Sequence, residues 1–421
     1  MSFVNPEQMA YKDGANLDAF GRLRSSVGIQ LFGTSQEYTP HPLVWDTYTV
    51  SGGSVTHSAT TNSSTLSTNG TTSGARALRQ TKTYHRYTPG KSQLIKQTGV
   101  LRAGGVPSGT AFAGIGYYDD NNGVFFKDSA AGISVSERSN VSGSVVETSV
   151  IQSNWNIDHF DGTGPSGKTV DWTKTQIFII DLQWLGAGRV RYGLNIDGIL
   201  YYAHQSVHAN LFPSVYMATA NLPARYEVFN SGGLGASISL NSICTSVESE
   251  GGVDETSMYP FSFSAYVSTP LVIDTTLRPL VTRRLKNTFN GKTARGQSHL
   301  RAFVIKNTTN DVYWEVRYNT TVTLGVGGSI TTTDVDTTYS MSEYDTYVGA
   351  ANTVAGGVAM FNGFSLAGQG VVSGTSIAPG VTSLLQIGRT YAGVRDTFTL
   401  CARSLSGSAS ISIATQIGEH Y

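Results

Sequence analysis

The chain has 421 residues, enough for two or three domains of roughly 150 residues, each able to bury its own core. Lys+Arg and Asp+Glu both number 29 and charged residues are only 14% of the chain, so the cationic surplus that phosphate binding needs is missing and nucleic acid is excluded as a main partner. Aromatic residues at 10%, with 21 Tyr and 17 Phe, exclude a disordered chain, and no apolar run approaches the ~20 residues of a membrane span.

Residues 1–10 contain Pro6 and Glu7 but no basic stretch followed by an apolar one, so no secretory signal is visible and cytoplasmic synthesis is expected. Next comes Asp18-Ala19-Phe20-Gly21-Arg22-Leu23-Arg24, a charged, glycine-interrupted heptad that a stable core would not require. Phe20 offers a large apolar anchor, Gly21 a bendable residue beside it, and Arg22 and Arg24 two guanidiniums able to clamp carboxylates or carbonyls on a neighbour. Residues 1–40 read as an attachment arm, with Asp18, Phe20, Gly21, Arg22, Leu23 and Arg24 as docking candidates.

From residue 41 to 250 the pattern is β throughout. The Ser/Thr/Gly/Asn tract 51–73 is either an exposed loop or a weak strand pair at a sheet edge. Strands are expected at 94–102, 111–118, 124–128, 132–138, 144–151, 176–184, 189–196, 199–204, 214–219 and 225–229, with turn signals between them. Val190, Tyr192, Leu194 and Ile196 share one face, and Asp197-Gly198 supplies the positive φ of a type I′ turn into Ile199–Ala203. The spacing predicts an antiparallel β-sandwich, with a jelly roll of the legume-lectin or laminin-G type as the expected geometry.

At 247–256 the chain turns acidic and flexible, and Pro260, Pro270 and Pro279 punctuate 251–295, read as an extended linker or edge segment. A smaller C-terminal β-sandwich domain is expected over 296–421, with alternation over 311–318, strands at 322–333, 382–389, 396–404 and 409–417, and a long loop over 350–380. Residues 419–421 read as free to extend toward a neighbour. Arg278, Arg283, Arg284, Lys286 and Lys292 cluster beside the linker, and Arg283 and Arg284 join the heptad as docking candidates for acidic protein surfaces.

Candidate chemistry is sparse. Gly186-Ala187-Gly188 lacks the Lys-Ser/Thr of a phosphate loop and reads as a turn. His204 and His208 have an i, i+4 spacing but lack a helix and an acidic partner in register. Asp158-His159-Phe160-Asp161 places an imidazole beside two carboxylates, the pair that glycoside hydrolysis uses, but the following Gly-Thr-Gly-Pro favours a solvated turn. Cys244 and Cys401 are too few for a disulfide framework. No cofactor, metal or catalytic residue is expected. Trp45, Tyr48, Trp155 and Trp172 are candidates for stacking on a glycan, should they lie on one surface.

The heptad resembles the Asp-Ala-Phe-Gly-Arg-Leu-Arg signature near the start of many virion structural proteins of tailed bacteriophages, and the β-rich stretch to about Tyr226 looks like those proteins. The resemblance implies a non-enzymatic virion component assembled in a host cytoplasm, docking to other virion proteins through its arm and forming a homo-oligomer. A tail position as collar, fibre or baseplate piece is the first expectation. Head decoration, or a carbohydrate-binding or depolymerising spike on host surface glycan, is the alternative.

Overall fold

The computed structural model describes residues 17, 28–232, 237–250, 258–349, 351–367 and 386–421, with 372–373 as backbone only; the heptad Asp18–Arg24 lies outside the described residues. Two compact units divide between residues 253 and 254. Among the described residues there is no α-helix and hence none long and apolar enough to cross a membrane.

The first unit holds β1 (Ile29–Thr34), β2 (Trp45–Val50), β3 (Gly53–Ser58), β4 (Ser63–Thr68), β5 (Ala75–Thr81), β6 (Gln93–Gly104), β7 (Ala111–Tyr118) and β8 (Gly123–Ser129). It continues with β9 (Gly132–Ser139), β10 (Val146–Ile151), β11 (Gln176–Leu182), β12 (Val190–Ile196), β13 (Ile199–Ser206), β14 (Ala224–Asn230) and β15 (Ser239–Ser249). One sheet runs β13-β12-β11-β6-β15-β4-β3, with β1 also on β15, and the other runs β10-β9-β8-β7-β14-β5-β2. The pairings are antiparallel, and the chain crosses between sheets after β1, β2, β4, β5, β6, β10, β13 and β14, which makes a jelly-roll-like sandwich. Inward residues of both sheets meet around Phe126, whose ring contacts Phe178 at 5.1 Å, Tyr192 at 5.8 Å and Trp155 at 6.5 Å.

Strand β15 shares one edge between two partners. Its first residues, to Ser242, pair with β4 and its last, from Thr245, with β1, leaving a break at Ile243 and Cys244. Buried Gln36 fills the break: its amide donates to the Ser242 and Ile243 carbonyls at 3.0 and 2.8 Å, and its own oxygen accepts from Ser64 at 2.5 Å. Carbonyls that the ladder leaves over are thereby satisfied rather than buried bare.

The expected hairpins form. Asp197 and Gly198 take φ of 54° and 82° between β12 and β13, and Asp119 accepts the amides of Asn121 and Asn122 in the β7–β8 turn, both at 2.8 Å. The low-complexity tract resolves as the β3–β4 pair at the sheet edge. Two expectations are corrected. Residues 29–34 of the expected arm are strand β1, because their backbone groups find the free end of β15; residues 214–219 are bends and irregular backbone rather than a strand.

In the second unit one sheet runs β16 (Tyr259–Ala265), β31 (Ala409–His420), β21 (Gln297–Asn307) and β28 (Val372–Ser373), joined by β17 (Leu271–Ile273) on β31 and β29 (Gln386–Ile387) on β21. The other runs β24 (Ser329–Asp334), β25 (Ser342–Val348), β18 (Arg278–Leu285), β30 (Phe398–Ser404), β22 (Val312–Tyr318) and β27 (Val358–Ser365). Short ribbons pair β19 (Thr288–Phe289) with β20 (Lys292–Thr293) and β23 (Thr321–Thr323) with β26 (Thr353–Ala355). Buried Leu280, Val312, Phe303, Ile305, Ile411 and Ile413 form part of its core.

Over its described part, the reading of 251–295 as a linker or edge segment holds for the edge strands β16 and β17 and is corrected at β18. β16 is an edge strand, where Pro260 costs no inner ladder bond, but β18 lies between β25 and β30 inside a sheet. Pro279 is accommodated there by a shift in register between Pro279 and Val281. Within 350–380, residues 353–355 and 358–365 are strands rather than loop, and residues 419 and 420 are buried in β31 instead of free.

Buried His85 gives the first unit a pH response. Its ring lies 5.1 Å from Phe32 and 6.3 Å from Tyr117, and burial pushes it from the usual 6.5 down to about 3. The unfolded chain then binds a proton that the fold refuses, so stability is full above the unfolded value and falls as pH drops toward the folded one. Denaturant titrations between pH 6.5 and 4 should show a loss approaching ~1.4 kcal/mol per pH unit at the acid end, and His85→Gln should remove that component of the slope.

Candidate functional site

The heptad's two flanks are both held by the first unit. Downstream, β1 is laddered to β15 from Ile29↔Ser249 to Thr34↔Thr245. Upstream, Leu17 is buried at 4% exposure, and its carbonyl accepts from Arg191 Nη2 at 2.6 Å. Asp181 of β11 and Arg191 of β12 are cross-strand partners, both 0% exposed, with Nη2 to Oδ2 at 2.5 Å. The Ser92 and Tyr202 hydroxyls donate to the two Asp181 oxygens at 2.7 and 3.0 Å, and the Arg191 guanidinium lies 4.2 Å from the Tyr202 ring centroid. This ion pair stands away from the core-facing Ile180 and Tyr192 of the same strands. One guanidinium nitrogen thus serves a carboxylate and the backbone immediately before the heptad.

Arg283 and Arg284 are corrected as docking cations. Val281, Arg283 and Leu285 share the inward face of β18, so Arg283 is buried at 3% exposure and donates to Ser298 at 2.5 Å. Arg284 points to the other face, where Glu343 at 2.7 Å and both oxygens of Asp345 already occupy it.

The glycan candidates do not share a surface. Trp45, Trp155 and Trp172 are buried at 3–7% exposure, and Trp155 packs edge-on against Trp172 at 6.0 Å within the core. Their indoles serve packing, as large aromatics usually do. Only Tyr48, on edge strand β2, is half-buried.

The carboxylates near His159 serve their own loop. Buried Asp158 accepts the amides of Phe160 and Ser166 at 2.8 and 2.7 Å. Exposed Asp161 accepts the Thr163 hydroxyl at 2.6 Å and the Thr163 amide at 2.8 Å, and these bonds, the hydroxyl first, hold its carboxyl below the usual range. Their oxygens close turns.

His204 accepts from the Asn156 amide at 3.2 Å, whereas His208 lies between the Gly188 carbonyl at 2.5 Å and Glu137 at 2.9 Å. Burial opposes charge on His208, but with two acceptors both ring nitrogens donate, so its pKa is held above the ordinary value. Among the described residues no three His, Cys, Asp or Glu side chains group as a metal site.

A buried charge network escapes sequence reasoning. Arg225 donates to Gln80 at 2.6 Å and Asp120 at 2.6 Å, and Arg76 donates to Asp120 at 2.7 Å and Glu227 at 2.5 Å. Arg225 stands 5.1 Å from the Tyr118 ring, which stacks at 4.1 Å on Phe125, which Arg138 approaches at 5.1 Å. Gly114 and Gly116 make room: a Cβ on Gly116 would meet Phe125 Cβ at 2.4 Å, and one on Gly114 would meet the Tyr118 hydroxyl at 2.6 Å. Two glycines on the face opposite Ala113, Ile115 and Tyr117 were the available signal.

No protein-family model matches the chain, and no curated protein matches its sequence. Solved structures do show a likeness. A carbohydrate esterase from Shiga toxin-encoding bacteriophage phi24B is 11% identical with a TM-score of 0.30, covering 53% of this chain and 99% of that one. An endo-1,3-beta-glucanase from Streptomyces sioyaensis is 11% identical with a TM-score of 0.33 (54% and 98% covered). A legume lectin-like domain from Entamoeba histolytica is 12% identical with a TM-score of 0.30 (53% and 98% covered). At these levels none of the three bears on ligand or activity.

Proposed function

We propose that the chain is a non-enzymatic structural component of a tailed-bacteriophage virion, tail-associated as a collar, fibre or baseplate piece, that docks to a neighbouring virion protein through residues 18–24. The observation that supports this most is the heptad's setting: Leu17 is hydrogen-bonded to Arg191 and β1 is laddered to β15, so the segment is tethered at both ends to one sandwich. Tethering a short docking segment lowers the ordering entropy that binding must overcome. In this reading Phe20 fills an apolar pocket on the partner while Arg22 and Arg24 make charge-assisted hydrogen bonds around it. The sandwiches are rigid spacers, and the protein works as a homo-oligomer.

The test is a triple substitution, Phe20→Ala with Arg22→Ala and Arg24→Ala, which spares Leu17. The variant should keep its β-rich circular dichroism and thermal transitions but be absent from purified particles. Incorporation at the wild-type level would overturn docking through this segment, and hundreds of wild-type copies per particle by quantitative mass spectrometry would move the protein from tail to head.

A further inference from the structure

The core of the second unit contains a cavity of about 30 Å³ lined by Phe263, Phe303, Phe398, Val316 and Thr415, together with Arg283. Arg283 spends Nη1 on Ser298, while its Nε and Nη2 are buried without a hydrogen-bond partner. Those two nitrogens form one edge of the guanidinium, and their N–H bonds run parallel toward a single acceptor. The nearest carboxylate influence is Glu419, whose oxygens are taken by the Ser340 hydroxyl and the Met341 amide, both at 2.9 Å. Hydrogen bonds link it to Arg283 through Ser340, Ser342 and Ser298, with the Ser298 and Ser342 hydroxyls 2.9 Å apart.

We propose that this cavity is a binding site for one halide-sized monovalent anion, held by the Nε–Nη2 edge of Arg283 inside the second sandwich. The volume has room for a single small ion or a water. A water accepting both N–H groups would turn its own hydrogens toward a largely apolar wall with only Thr415 to receive them. An anion accepts and has no hydrogen to satisfy. It also supplies charge where burial already lowers the guanidinium to about 10, a fall that Glu419 only partly offsets.

Full-length protein crystallised in sodium bromide should show an anomalous peak within hydrogen-bond reach of Arg283 Nε and Nη2. In solution, exchanging gluconate for chloride at constant ionic strength should raise the second unit's Tm by about 4 °C between 10 and 500 mM chloride. Arg283→Met should abolish that rise, and where that variant fails to fold, Val316→Ile, which narrows the cavity and keeps the arginine, should reduce it. A peak without anomalous signal, or a Tm equal in chloride and gluconate, would overturn the proposal.

Discussion

Replacing Asp181 by Asn should cost the first unit about 3–5 kcal/mol, read as a drop in its denaturant midpoint with the second unit's transition unchanged. Asp181 and Arg191 are both 0% exposed, so neutralising the carboxylate leaves a guanidinium in the interior without its counter-charge. Tyr202→Phe and Ser92→Ala each delete one hydrogen bond to the same carboxylate and should cost less, about 1.5–3 kcal/mol. The ranking matters for docking as well. Because Arg191 also holds the Leu17 carbonyl, Asp181→Asn should weaken the tether on the heptad and lower particle incorporation, although residue 181 lies far along the chain from residues 18–24. Incorporation unaffected by a variant that is clearly destabilised would separate the tether from docking.

The second large effect is expected at Glu227. It is 0% exposed, receives Arg76 at 2.5 Å and lies 3.5 Å from Arg225, so Glu227→Gln strips a counter-charge from the buried Arg225 and the partly buried Arg76 and should cost about 3–5 kcal/mol. Asp120 contacts both arginines too, at 2.7 and 2.6 Å, yet its side chain is 43% exposed. Water can replace it, and Asp120→Asn should cost no more than about 1 kcal/mol. Equal losses at the two positions would mean that burial does not govern this network.

What could be read from the residues follows the range of the interactions involved. Val190–Ile196 with Asp197-Gly198 was legible because alternation and turn chemistry are local, and the same holds for the β7–β8 hairpin. Strand β1 was not legible, since Ile29–Thr34 is a strand only by virtue of residues 245–249 more than two hundred positions away. β18 was misread because Pro279 and a run of basic residues mimic a linker; the bulge that admits the proline and the interior that admits Arg283 are tertiary. The tryptophans look the same in a sequence whether they face sugar or core, and only burial separates the two. The heptad was visible as a string, but its anchoring depends on Arg191, which alternation puts on the face of β12 opposite Val190, Tyr192, Leu194 and Ile196 and which only tertiary packing buries.

The sharing of β15 between β4, β6 and β1 also bears on the order of events during synthesis. Nothing before residue 239 can complete the larger sheet, and Tyr259↔Glu419 imposes the same wait on the second unit, whose β31 joins β16 to β21. At 5–20 residues per second the stretch from the end of β6 at Gly104 to the start of β15 at Ser239 takes roughly 7–27 s, during which the edge of β6 that β15 will pair stays open. A message truncated before β15 would therefore yield an open, adhesive half-sandwich rather than a smaller stable one, and recovery of soluble protein should depend on translation speed and chaperone supply more than on the stability of the finished fold.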